Sequence, residues 1–120
     1  MQVGFYPSWN DGFVRTYFRD LQSDGQRKKA EAKLQLDIFT LESHWPNVLN
    51  VTVRLLKGYE PLWELKREYQ NIKYRIFFCV NEDQIWLLHA IEKKEWKTPS
   101  SDLDLAYKRM VDVFSGKVRM

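Results

Sequence analysis

Cysteine occurs once, at Cys79 inside an apolar run, so the chain builds neither a disulfide framework nor a cysteine-based metal site. Its two histidines, His44 and His89, stand far apart, and no HExxH, GxSxG or glycine-rich phosphate loop is present. Asp and Glu are scattered without metal-ligand spacing, so no metal and no cofactor is expected. No low-complexity segment, repeat or linker divides the chain, and one domain over residues 1–120 follows. No apolar run approaches transmembrane length. The first twenty residues carry Asp11, Arg15, Arg19 and Asp20 in place of an apolar leader. A cytoplasmic protein with no membrane partner is the expectation.

Aromatic residues are plentiful: five Trp, six Tyr and seven Phe. Such rings fill a core, and they can also stack on bases. Hydrophobic content of 44% beside 29% charged residues excludes a disordered chain. The net charge of +3 leans only weakly toward a polyanionic partner, because acids nearly balance bases.

"QVGFY" reads as a short strand ended by Pro7. A helix follows, capped by Asn10 or Asp11, with Phe13, Val14, Tyr17, Phe18 and Leu21 on one face. The stretch 26–45 carries two periodicities. Ala30, Ala32, Leu34, Leu36 and Ile38 alternate as in a strand, whereas Ala30, Leu34, Ile38, Leu41 and Trp45 form a helical stripe. Its Ala, Glu, Lys and Gln filler and its length decide for helix, ending before Pro46. A connector at 46–61 holds a brief extended piece near Val51–Leu55. "LWELK" at 62–66 sets Trp63 and Leu65 on one face of a strand and Glu64 and Lys66 on the other. Residues 73–80 and 84–91 are strand-like runs joined by Asn81-Glu82-Asp83, an antiparallel hairpin. After Pro99, Ser101 and Asp104 suggest a capping box for a last helix that presents Leu103, Ala106, Tyr107, Met110 and Val113 to the core and ends at Gly116. The order β-α-α-β-β-β-α predicts an α+β domain, its sheet mostly antiparallel and its helices packed mainly on one face.

Hairpin geometry gives the cations their interest. The start of one strand and the end of its antiparallel neighbour share an end of the sheet, so Arg75 meets Lys93 and Lys94, and Lys66 joins them if 62–66 pairs beside 73–80. The same charges can serve only to blunt strand ends. As a site, they suit RNA cleavage. Attack by the 2′-hydroxyl builds negative charge on the phosphate, which fixed cations stabilise without a metal. A lysine crowded by other cations gives up its proton more readily and can act as base. Trp96, beside the lysines, can stack on a base or pack under the last helix.

Taken together, "LKGYEPLWELK", "YRIFFCV" and "IWLLHAIEKKEWKTPSSDLDLAYKRM" resemble the phage-derived Gp49-like, or HigB-like, toxins of the RelE/ParE superfamily, most closely over residues 55–110. The resemblance implies a toxin held inactive by a helix-turn-helix antitoxin and cleaving mRNA on the ribosome. It implies contact with operator DNA only through the antitoxin complex. It assigns Lys66, Arg75 and Lys94 to catalysis; Lys93, Trp96 and Lys97, which lie beside that cluster in the sequence, are expected to bind RNA. Glu64 stands where RelE has a lysine, and Thr98-Pro99-Ser100 stands where RelE has a catalytic tyrosine. Tyr59, Tyr74 and His89 are the alternatives for that missing group. A gyrase-inhibiting binding toxin of the ParE kind, or a relic that only binds antitoxin and DNA, are the rival readings.

Overall fold

The computed structural model describes residues 1–93 and 97–118. Its elements run β1 (Gln2–Phe5), α1 (Phe13–Ser23), α2 (Lys28–His44), β2 (Thr52–Leu55), β3 (Trp63–Tyr69), β4 (Ile72–Asn81), β5 (Gln84–Lys93) and α3 (Ser100–Phe114). The extended piece in the connector is thus a strand of its own, β2. One sheet holds all five strands in the order β1-β5-β4-β3-β2; β1 pairs parallel with β5 and every other pair is antiparallel. The α+β architecture read from the sequence is the one observed.

β4 lies at the centre and is buried on both sides, as its unbroken "IFFCV" suggests. On one face α1 and α2 bury Val14, Phe18, Leu21, Ala30, Leu34, Ile38 and Leu41 against Leu65, Tyr74, Ile76, Phe78, Ile85 and Leu87. α3 covers the other face alone, setting Ala106, Met110 and Val113 on Leu62, Phe77, Cys79, Trp86 and Leu88. Tyr6 Oη donates to Asp112 Oδ2 at 2.7 Å, and Arg109 Nη1 donates to the Leu88 carbonyl at 2.8 Å. These bonds moor α3 to the β1 and β5 side of the sheet.

The helix starts differ from the capping expected. Gly12 and Pro99 precede α1 and α3, and neither N-cap makes a side-chain hydrogen bond. Asp11 instead accepts from Arg19 at 2.8 Å, and Ser101 lies within the first turn of α3. Pro99 takes the N-cap position itself, so Ser100 and Ser101 fall inside the helix rather than at its cap.

One register shift shapes the α3 face. Phe77 pairs with His89 but Phe78 pairs with Leu87, so Leu88 is an extra residue bulged out of β5. Beyond it the strand's faces are exchanged: His89, Ile91 and Lys93 turn to the α3 side, while Ala90 and Glu92 turn toward α2, where Glu92 meets Arg27.

Cys79 is fully buried under α3, and burial pushes its thiol pKa up to about 12. A thiol is nucleophilic only as thiolate. Native protein at neutral pH is therefore expected to resist an aromatic disulfide reagent, with labelling at the rate of global unfolding. Stoichiometric labelling within the mixing time, followed by absorbance, would contradict this burial.

Candidate functional site: a cationic sheet face beside α3

α3 covers only part of its face. Residues paired across a ladder share a face, so the rest of that face is read directly from the register. Nearest α3 runs the row Arg54, Glu64, Phe77, His89 across β2 to β5. Next comes Thr52, Lys66, Arg75, Ile91, and beyond it Glu68, Lys73, Lys93. Five cations and two carboxylates occupy these rows. Lys66 stands directly opposite Arg75, and Lys73 directly opposite Lys93. Like charges facing each other across a ladder are destabilising unless a counter-charge is near.

For Arg75 that counter-charge is Glu64, only 2% exposed, while Lys73, 6% exposed, stands opposite Glu68. Glu64 Oε2 accepts from Arg75 Nη1 at 3.1 Å and from Thr98 Oγ1 at 3.4 Å, and its Oε1 lies 3.3 Å from Arg54 Nε. Arg75 itself is 1% exposed. The sequence treats Arg75 as a strand-end charge open to solvent; here it is a buried member of an ion pair. Above it, Thr52, Arg54, Glu64, Lys66 and Arg75 line a hollow of about 190 Å³. Lys66 is half-buried at its wall, and the Arg54 side chain is 64% exposed.

Of the residues singled out by sequence, Lys66, Arg75 and Lys93 share this face. Lys97 is exposed, beside the start of α3 at a second hollow with Thr98 and Leu103. Lys94 and Trp96 lie outside the described residues. The three alternatives for the missing tyrosine separate clearly. Tyr74 is buried in the α1/α2 core, on the opposite face. Tyr59 Oη donates to Asp104 Oδ1 at 3.1 Å, which raises its pKa. His89 stacks on Phe77, with Nε2 2.8 Å from Asp102 Oδ1. That pairing of imidazole and carboxylate can carry a proton. Among the described residues, no group of three or more His, Cys, Asp or Glu side chains could hold a metal ion, and no helix is long and apolar enough to cross a membrane.

Sequence reasoning passed over Arg54, Lys73 and the buried role of Glu64. The alternation in "TVRL" places Thr52 and Arg54 on one face and could have flagged Arg54. Nothing in the chain announces that Glu64 is buried between two arginines.

Among known proteins, the family model described as Phage derived protein Gp49-like (DUF891) matches residues 18–111, which takes in every element but β1 and part of α1 and α3. No curated protein and no solved structure matches the chain.

Proposed function

The chain belongs to the phage-derived Gp49-like family, and from that premise we propose that it is the toxin of a toxin–antitoxin pair, acting as a ribosome-dependent mRNA endonuclease. The observation that supports this best is the hollow of about 190 Å³ on the α3 side of the sheet, lined by three cations, Arg54, Lys66 and Arg75, with one carboxylate, Glu64. A hollow lined mostly by cations attracts a polyanion.

In this reading a backbone phosphate enters the hollow from the solvent side. The RNA 2′-hydroxyl attacks phosphorus, the bond to the 5′-oxygen breaks, and a 2′,3′-cyclic phosphate and a 5′-hydroxyl result. Lys66 and Arg54 meet the phosphate oxygens, and Arg75 adds its charge from beneath. Lys94 keeps the catalytic role that the family likeness gives it, and Lys93, Trp96 and Lys97 hold flanking nucleotides. His89, oriented by Asp102, accepts the 2′-hydroxyl proton and returns one to the leaving 5′-oxygen. A helix-turn-helix antitoxin restrains the toxin and brings it to operator DNA.

Glu64 favours one rival. Its carboxylate already occupies Arg75, which suits a binding toxin that inhibits its target without cleaving RNA. Mapping the ends of cellular mRNA after induced expression tests the proposal. Cuts in phase with codons are expected. A DNA-damage response without cuts would replace the nuclease with the binding toxin, and absence of both would leave only an antitoxin-binding relic.

A further inference from the structure

We propose that the outer face of α2 is a docking surface for an acidic amphipathic helix of a partner protein. α2 is apolar on two sides. Ala30, Leu34, Ile38 and Leu41 are buried in the core, yet Leu36 is 62% exposed and Phe39 61% exposed on the opposite side. Leu36, with the exposed Ala32, is what gave the segment its second, strand-like periodicity. Lys29, Ala32, Lys33, Leu36 and Tyr69 line a mostly apolar hollow of about 420 Å³, with Lys33 Nζ 5.4 Å from the Tyr69 ring centre. Lys29, Ala32, Lys33 and Leu36 follow the i, i+3, i+4, i+7 spacing by which one helix receives another.

The charges choose the partner. Lys28, Lys29 and Lys33 are exposed in the N-terminal half of α2. Cations there oppose the positive end of the helix dipole. Glu31, the one acidic residue of the first turn, is buried and accepts from Gln22. The surface thus calls for carboxylates at one end and apolar side chains along the rest. The apolar centre disfavours nucleic acid. A second copy fits poorly, because antiparallel docking of two α2 helices sets Lys29 and Lys33 against Phe39, Thr40 and Ser43, none of them charged. α2 covers the sheet face opposite the cationic hollow, so this surface stands independently of the nuclease reading.

The test is a displayed library of helical peptides about 20 residues long, selected on the full-length protein. The expected winners alternate apolar residues at helical spacing with a cluster of Asp and Glu. A consensus peptide, followed by fluorescence anisotropy, should bind Leu36→Glu and Phe39→Glu at least tenfold more weakly than the parent. Lys33→Glu should lose affinity and regain it when a peptide carboxylate is exchanged for lysine. Winners without acidic character, or winners indifferent to all three substitutions, would overturn the proposal. So would sedimentation showing a dimer of the protein alone that Leu36→Glu dissociates.

Discussion

Glu64→Ala and Arg75→Ala proteins should each lose about 3–5 kcal/mol of stability, the cost of breaking a buried ion pair by removing one partner. In a domain of this size that lowers Tm by roughly 10–20 °C. The Arg75 and Glu64 side chains are 1% and 2% exposed and lie 3.1 Å apart, so neither charge regains water when its partner is deleted. Glu64→Ala is expected to cost at least as much as Arg75→Ala. It removes the carboxylate from two arginines at once, whereas Arg75→Ala leaves Glu64 its contacts with Arg54 and Thr98. Replacing both, as Glu64→Ala/Arg75→Ala, should cost clearly less than the sum of the single changes, because no charge of the pair is then stranded in the interior. Urea unfolding of the four proteins, followed by tryptophan fluorescence, measures the cycle. Single variants within 1 kcal/mol of the parent would mean that the pair is solvated and that Arg75 is a strand-end charge after all.

This burial changes how Arg75 is to be read. Judged from sequence it belongs with Lys66 and Lys93 as one of several similar cations whose removal leaves the fold alone. The structure divides them: Arg75 lines the hollow while 1% exposed and ion-paired with Glu64, whereas Lys66 is half-buried at its wall. A loss of activity on changing Arg75 therefore reports on the fold as well as on chemistry, and Lys66 is the cleaner probe.

How much of this was legible depended on whether the controlling contact was local. The β4–β5 hairpin was legible because two runs of branched and aromatic residues flank a polar turn, and the turn closes with Glu82 at φ 57. The β3–β4 turn was not. It is a two-residue turn, Gln70 at φ 51 and Asn71 at φ 65, built without glycine. Arg67 near it looks like loop polarity but grips Asp37 of α2 with two guanidinium nitrogens. That Lys93 joins Arg75 depends on the Leu88 bulge. In an unbroken β5, Lys93 would point to the opposite face, and period-two alternation cannot reveal one extra residue. The side of the sheet that α3 covers is a tertiary choice as well, and it decides which cations stay open. The segment's conflicting periodicities at 26–45 were informative in retrospect, since the residues that spoil the helical stripe are those α2 exposes.

Lys66→Ala should slow cleavage by ~10²–10³-fold while the protein remains as stable as the parent. The rate loss is that typical of removing one preorganised charge from a site where negative charge develops. Stability should move by no more than about 1 kcal/mol, since a partly solvated surface charge contributes little. Lys66→Arg should recover much of the rate if charge alone is required. Lys66→Gln, which keeps length and polarity but not charge, should behave like Ala. The measurement is single-turnover cleavage on programmed ribosomes at fixed ionic strength, beside thermal melts of each variant. Fixing the salt matters, because contacts to backbone phosphates weaken steeply as salt rises and a binding defect would otherwise pass for a chemical one. Saturating the ribosome concentration separates the two: a phosphate-binding role is rescued by excess substrate, and a transition-state role is not. Parent-like cleavage by a stable Lys66→Ala protein would remove Lys66 from the chemistry. If Lys66→Ala also retained full toxicity while cutting no RNA, the cationic face would be a binding surface, and the carboxylate of Glu64 beneath it a structural counter-charge.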